Sequence, residues 1–194
     1  MDFIDDQRMS HLYEKFVLGY YRKHFSHLDP SANYIDWDAQ GEIEYLPAMK
    51  TDITLTDKEQ NKVLIIDTKY YGRTMQSQFG KNSYHSGNLY QILSYVNNKK
   101  ARYNGEVGGM LLYAKTDEEV TLNQKFTVSG NQFAVKTLDL NVEFSEIEEQ
   151  LKDIIKVFLI NRFPFQFKAR GKDSRGGKAV PKRSVGMERQ RNPE

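Results

Sequence analysis

A chain of 194 residues is long enough for one domain with a substantial core and too short for two of ordinary size. It has no cysteine, which excludes a disulfide framework and a thiolate metal site and fits a reducing cytoplasm. No apolar run approaches the roughly 20 residues of a membrane span, and MDFIDDQRMS lacks a signal peptide's apolar core, so a soluble, cytoplasmic protein is expected.

The formal net charge of +2 is unevenly spread. From Lys168 to Glu194 there are nine Lys/Arg against three acids, a net of +6, so residues 1–167 carry −4. The charge change marks the expected boundary between a folded domain, 1–167, and a basic tail, 168–194.

In chain order, Ser10 suits the N-cap of a helix running to about Phe25, with Leu12, Phe16 and Tyr20 on one stripe and Tyr13, Val17 and Tyr21 beside it. Glu14 then falls in the first turn, where the helix dipole favours an acid. His24 and His27 lie where Asp29-Pro30-Ser31 breaks the helix, and together with His11 they read as exposed histidines rather than metal ligands. Tyr34 to Trp37 suits a short strand or a loop, and the single tryptophan is expected to be partly buried. Asp52 to Leu55 and Lys62 to Tyr71 are rich in β-branched and aliphatic residues around the polar segment TDKEQN, which predicts a hairpin. Gly72 to Ser86 is polar and reads as a mobile loop. Its Arg73, Lys81, Asn82, Ser83 and His85 are residue types that contact phosphate oxygens, though a plain solvated connector has the same composition.

Leu89, Ile92, Leu93 and Val96 predict a helix over 88–97, with Gln91 and Tyr95 spaced i, i+4 on its flank. GGMLLYA, 108–114, suits a central strand reached by a crossover. Residues 125–128 and 132–138 flank Ser129-Gly130-Asn131 as a second hairpin. Ser145 and Glu148 form a capping box for a helix over 146–161, whose Ile147, Leu151, Ile154, Ile155, Phe158 and Leu159 make a core face. The sum is an α/β fold with a central mixed sheet flanked by helices. The tail is expected to be disordered and, being basic, able to hold DNA phosphates non-specifically; an origin unrelated to function explains its composition equally well.

Side chains alternate along a strand, so Val63, Ile65, Asp67 and Lys69 share one face of the second hairpin strand. Hairpin pairing brings Asp52 toward Asp67. Charges beside an aliphatic run are costly unless paired or bound to a metal. Two carboxylates suit a hard divalent cation such as Mg2+, or Mn2+, and a lysine beside them suits the orientation of an attacking water and the stabilisation of a phosphoryl transition state.

Asp52 followed by Asp67-Thr68-Lys69 resembles the signature of the PD-(D/E)xK nuclease superfamily, with Thr51 where the name has proline. PAMKTDITL, VLIIDTKYY and GNLYQILSYV, with MSHLYEKFVLGYY before them, resemble the endonuclease subunit McrC of McrBC modification-dependent restriction systems over about residues 8–165. The resemblance implies a restriction-endonuclease-like core and Mg2+-dependent DNA cleavage. It implies metal ligation by Asp52, Asp67 and the Thr68 carbonyl, catalysis by Lys69, and support from Gln91 and from Glu14 on the first helix. It also implies a GTP-hydrolysing AAA+ partner of the McrB type that recognises DNA with modified cytosine; no GxxxxGK[ST] loop occurs in this sequence. McrC proteins usually carry an N-terminal hexamer-binding domain, whereas here the nuclease-like region begins almost at Met1. A stand-alone repair or junction-resolving nuclease, and a catalytically silent DNA-binding or assembly subunit, are the alternative readings.

Overall fold

The computed structural model describes residues 3–70, 75–78, 81–115, 121–156 and 158. Its centre is a five-stranded mixed sheet. β3 (Ile53–Asp57) and β4 (Lys62–Lys69) form an antiparallel pair, β7 (Glu106–Ala114) lies parallel to β4, and β9 (Asn131–Leu138) lies parallel to β7. β8 (Asn123–Val128) closes the order β3-β4-β7-β9-β8 as an antiparallel edge. The helix between β4 and β7, α2 (Ser86–Arg102), is the expected crossover.

Both hairpins have turns their sequences can make. Asp57 Oδ1 accepts from the amides of Glu59 at 3.0 Å and Gln60 at 2.9 Å, and Asn61 takes the left-handed region at φ 55°. Between β8 and β9, Ser129 at φ 51° and Gly130 at φ 80° give two consecutive positive φ values, the requirement of a tight type I′ turn.

The sheet is covered on both faces, so β4 is buried from Lys62 to Thr68 and reads as a continuous apolar run. Leu64, Ile66, Met110 and Leu112 pack with Tyr13, Val17 and Tyr21 of α1 (Phe3–His24) and with Ile147, Leu151 and Ile154 of α3 (Phe144–Ile155). Val63, Ile65, Leu111 and Tyr113 pack with Ile92, Tyr95 and Val96 of α2. Tyr21 joins α1 to α3 through a 3.1 Å hydrogen bond from its hydroxyl to the Leu151 carbonyl. The glycine pair of β7 is explained by these two layers. A Cβ on Gly108 would lie 1.5 Å from the ring of Phe158, and one on Gly109 would lie 2.8 Å from Ile92 and Val96.

Four regions differ from the sequence reading. α1 begins at Phe3, so Ser10 is inside the helix and not its cap. Within 72–86, β5 (Met75–Gln78) and β6 (Lys81–Tyr84) pair as an antiparallel ribbon rather than a loop. Their polar sequences carry no apolar alternation, and a Tyr84 hydroxyl bond of 2.6 Å to Gln124 ties the ribbon to β8. α3 is capped at Glu143, not Ser145: the Glu143 carbonyl accepts from the amides of Glu146 at 2.9 Å and Ile147 at 3.2 Å. α2 is longer than 88–97 at both ends.

β1 (Tyr34–Ile35) and β2 (Met49–Lys50) form a small antiparallel sheet, with Trp37 partly buried and its indole donating to the Pro47 carbonyl at 2.8 Å. No described helix is long and apolar enough to cross a membrane. The expected end of α3 at residue 161, Arg73, and the basic tail with its boundary at 167 lie outside the described residues.

Candidate active site

β4 carries the cluster on its last turn of pleat. Asp67 and Lys69 project from the α2 face, the face of Val63 and Ile65. Asp67 is 1% exposed and Lys69 14% exposed, with Nζ 2.7 Å from Asp67 Oδ2. The contact is an ion pair, buried on its Asp67 side. Asp52 stands at the bend before β3, whose first residue, Ile53, pairs with Ile66. Its Oδ2 accepts from the Thr68 amide at 2.7 Å and the Thr68 hydroxyl at 2.8 Å. Both bonds fall on one oxygen.

Asp52 is set by the residue before it. Thr51 is fully buried; its amide donates to the Asn33 carbonyl at 2.9 Å, and its hydroxyl accepts from the Asn33 amide at 3.0 Å and lies 2.9 Å from the Thr54 hydroxyl. Burial pushes the Asp67 carboxyl up to about 7; Lys69 opposes the shift, and the Asp52 and Glu14 carboxylates add to it. Three acids therefore share one field with a single paired lysine among the groups acting on Asp67.

Gln91, on α2, accepts from Lys69 Nζ at 3.1 Å through Oε1 and donates through Nε2 to the Tyr95 hydroxyl at 2.9 Å. Glu14 lies well inside α1, eleven residues from its start, so the dipole of a first turn does not account for it. Its Oε2 is 3.5 Å from His11 Nδ1, a pairing one helical turn apart that exposed histidines alone did not suggest. His85 is at the N-cap of α2 and partly buried. The side chains of Lys81, Asn82 and Ser83 lie outside the described residues.

Among the described residues, no group of three or more His, Cys, Asp or Glu side chains comes together as a metal cage. The candidate donor set is Asp52, Asp67 and the Thr68 carbonyl, all hard oxygens. Such a set fits Mg2+ or Mn2+, because Mg2+ keeps several waters and takes only one or two carboxylates. A desolvated carboxylate in the field of two others is also the electrostatic setting that a divalent cation relieves.

A mixed α/β sheet covered by helices, with this carboxylate and lysine cluster on the strand that follows the first hairpin turn, is a restriction-endonuclease-like domain. A family model described as McrBC 5-methylcytosine restriction system component matches residues 7–114, more than half of the chain and all six of Glu14, Asp52, Asp67, Thr68, Lys69 and Gln91. The chain belongs to that family, which bears out the resemblance read from its motifs. The Type IV methyl-directed restriction enzyme EcoKMcrBC of Escherichia coli (strain K12) is 31% identical over 159 residues, covering 80% of this chain and 44% of that protein. The chain thus spans less than half the length of this relative.

Proposed function

We propose that this chain is the nuclease part of a modification-dependent restriction system, hydrolysing DNA phosphodiester bonds with a divalent cation. The observation that carries the reading is the buried Asp67, shifted up by its surroundings and held 2.7 Å from Lys69, with Asp52 fixed by Thr68 at the bend before the adjoining strand. A structural ion pair has no need of two further acids acting on it.

Asp52, Asp67 and the Thr68 carbonyl would hold Mg2+, or Mn2+. When bound, the cation lowers the pKa of a coordinated water and neutralises charge on the phosphate. Thr68 fixes the Asp52 carboxylate through two hydrogen bonds, so that group is oriented before substrate arrives. Lys69 presents its ammonium beside Asp67, where it orients the attacking water and meets the negative charge that grows on phosphorus-bound oxygen as the new P–O bond forms and the old one breaks. Gln91 holds that ammonium from the other side. Glu14 adds negative potential that favours retention of the cation. Recognition of modified cytosine and GTP hydrolysis would belong to an AAA+ partner of the McrB type, a reading supported by the family match; no GxxxxGK[ST] loop occurs in these 194 residues.

Supercoiled plasmid incubated with the purified chain in Mg2+ or Mn2+, beside Asp67→Ala and with and without such a partner and GTP, tests this. Cation-dependent cutting that Asp67→Ala abolishes is the expected result. DNA binding without cutting under every condition would leave a silent DNA-binding subunit, and cutting without the partner would select a stand-alone nuclease.

A further inference from the structure

Two buried polar side chains next to the cluster have no part in the chemistry above. Asn88 is 8% exposed and Tyr113 is fully buried, and Asn88 Nδ2 donates to the Tyr113 hydroxyl at 3.0 Å. Tyr113 is the residue of β7 that pairs with Lys69 in the parallel ladder. Asn88 lies in the first turn of α2, three residues before Gln91, a spacing that places the two side chains on neighbouring parts of one helix face. The bond therefore joins the strand residue beside Lys69 to the helical turn that carries its amide partner.

We propose that Asn88 and Tyr113 are positioning residues of the cleavage site, whose hydrogen bond fixes α2 at the height where Gln91 reaches Lys69. The proposal rests on the nuclease reading. Gln91 spans two contacts, Lys69 at 3.1 Å and Tyr95 at 2.9 Å, and leaves no slack for a helix that slides along β7. A shift of about an ångström lengthens the Lys69 bond beyond hydrogen-bonding range and removes the hold of Gln91 on the ammonium, which then sits less well aligned to the attacking water.

The experiment is a double-mutant cycle on the full chain under the metal and partner conditions that support cutting. Tyr113→Phe removes one oxygen and leaves the ring, and Gln91→Ala removes the amide. Tyr113→Phe is expected to lower kcat roughly tenfold with the KM for DNA little changed, and to cause no further loss in the Gln91→Ala background. Lost stability from a broken buried hydrogen bond would act alike in both backgrounds, so the epistasis separates positioning from folding. Wild-type kcat in Tyr113→Phe, or an equal further loss beside Gln91→Ala, would overturn the proposal and leave the nuclease reading intact. A wild-type chain that never cuts would remove the nuclease reading and this proposal with it.

Discussion

At residue 67 a carboxylate sits where water scarcely reaches, and pH exposes the consequence. Unfolded, an aspartate ionises near 3.9 (roughly, as in model peptides); in the fold its burial moves that to about 7. Between those values the native chain holds a proton that the unfolded chain has released. The contribution to stability is therefore complete below the unfolded value and is lost as pH rises through 7. In metal-free urea titrations, the unfolding free energy of the wild type relative to Asp67→Asn should fall by roughly 1–4 kcal/mol between pH 5 and pH 8; a flat difference would contradict this. Lys69→Met should cost about 10² to 10³ in cleavage rate and raise the Asp67 pKa further, since Lys69 is the group that lowers it. Thr51 makes a third case. Proline there cannot donate to Asn33, so Thr51→Pro should destabilise the fold by roughly 1–3 kcal/mol in the same titration. Alternation alone made Asp67 and Lys69 legible as neighbours. The part played by Thr51 was not legible, because a threonine before a strand does not say that its amide and hydroxyl meet a segment eighteen residues earlier.

Element by element, legibility follows periodicity. β4 and β7 were readable as apolar runs, and α2 as a stripe of Leu89, Ile92, Leu93 and Val96, because burial on one or both faces leaves that imprint. β5 and β6 leave none, since a polar ribbon held by backbone pairing needs no apolar face. The starts of α1 and α3 differ for a related reason: Ser10 and Ser145 match a capping preference, but α1 already runs from Phe3 and α3 is capped two residues earlier, at an extended Glu143. Once α1 is extended to Phe3, Glu14 moves from a helix-end position to the middle, and its influence on Asp67 needs the fold to be seen. The glycines of β7 are testable at this scale. Gly109→Ala puts a methyl within 2.8 Å of Ile92 and Val96 and within 2.9 Å of Phe133, so it should lower the urea midpoint by the equivalent of roughly 1–3 kcal/mol, and Gly108→Ala, aimed at the Phe158 ring, by at least as much.

For the molecule as a whole, the mixed sheet places the carboxyl ends of β4 and β7 together, with α2 across one face and α1 and α3 across the other. That arrangement places Asp67, Lys69 and Gln91 together at the carboxyl end of β4, with Asp52 held by Thr68 and Glu14 acting on Asp67 through its charge. The family match, residues 7–114, covers β3, β4, α2 and β7 and ends at Ala114. In a system with an McrB-type partner, GTP should raise cutting only when the partner is present, because this chain has no phosphate loop to bind the nucleotide; stimulation by GTP of the chain alone, read on plasmid, would contradict that division of labour. The most direct test is calorimetric titration of Mg2+ into the wild type and into an Asp52→Asn, Asp67→Asn double variant at pH 7. Saturable binding with proton release is expected in the wild type, because the cation draws Asp67 into its ionised form, and no saturable heat in the variant. Equal binding in both would place the cation elsewhere and contradict this expectation.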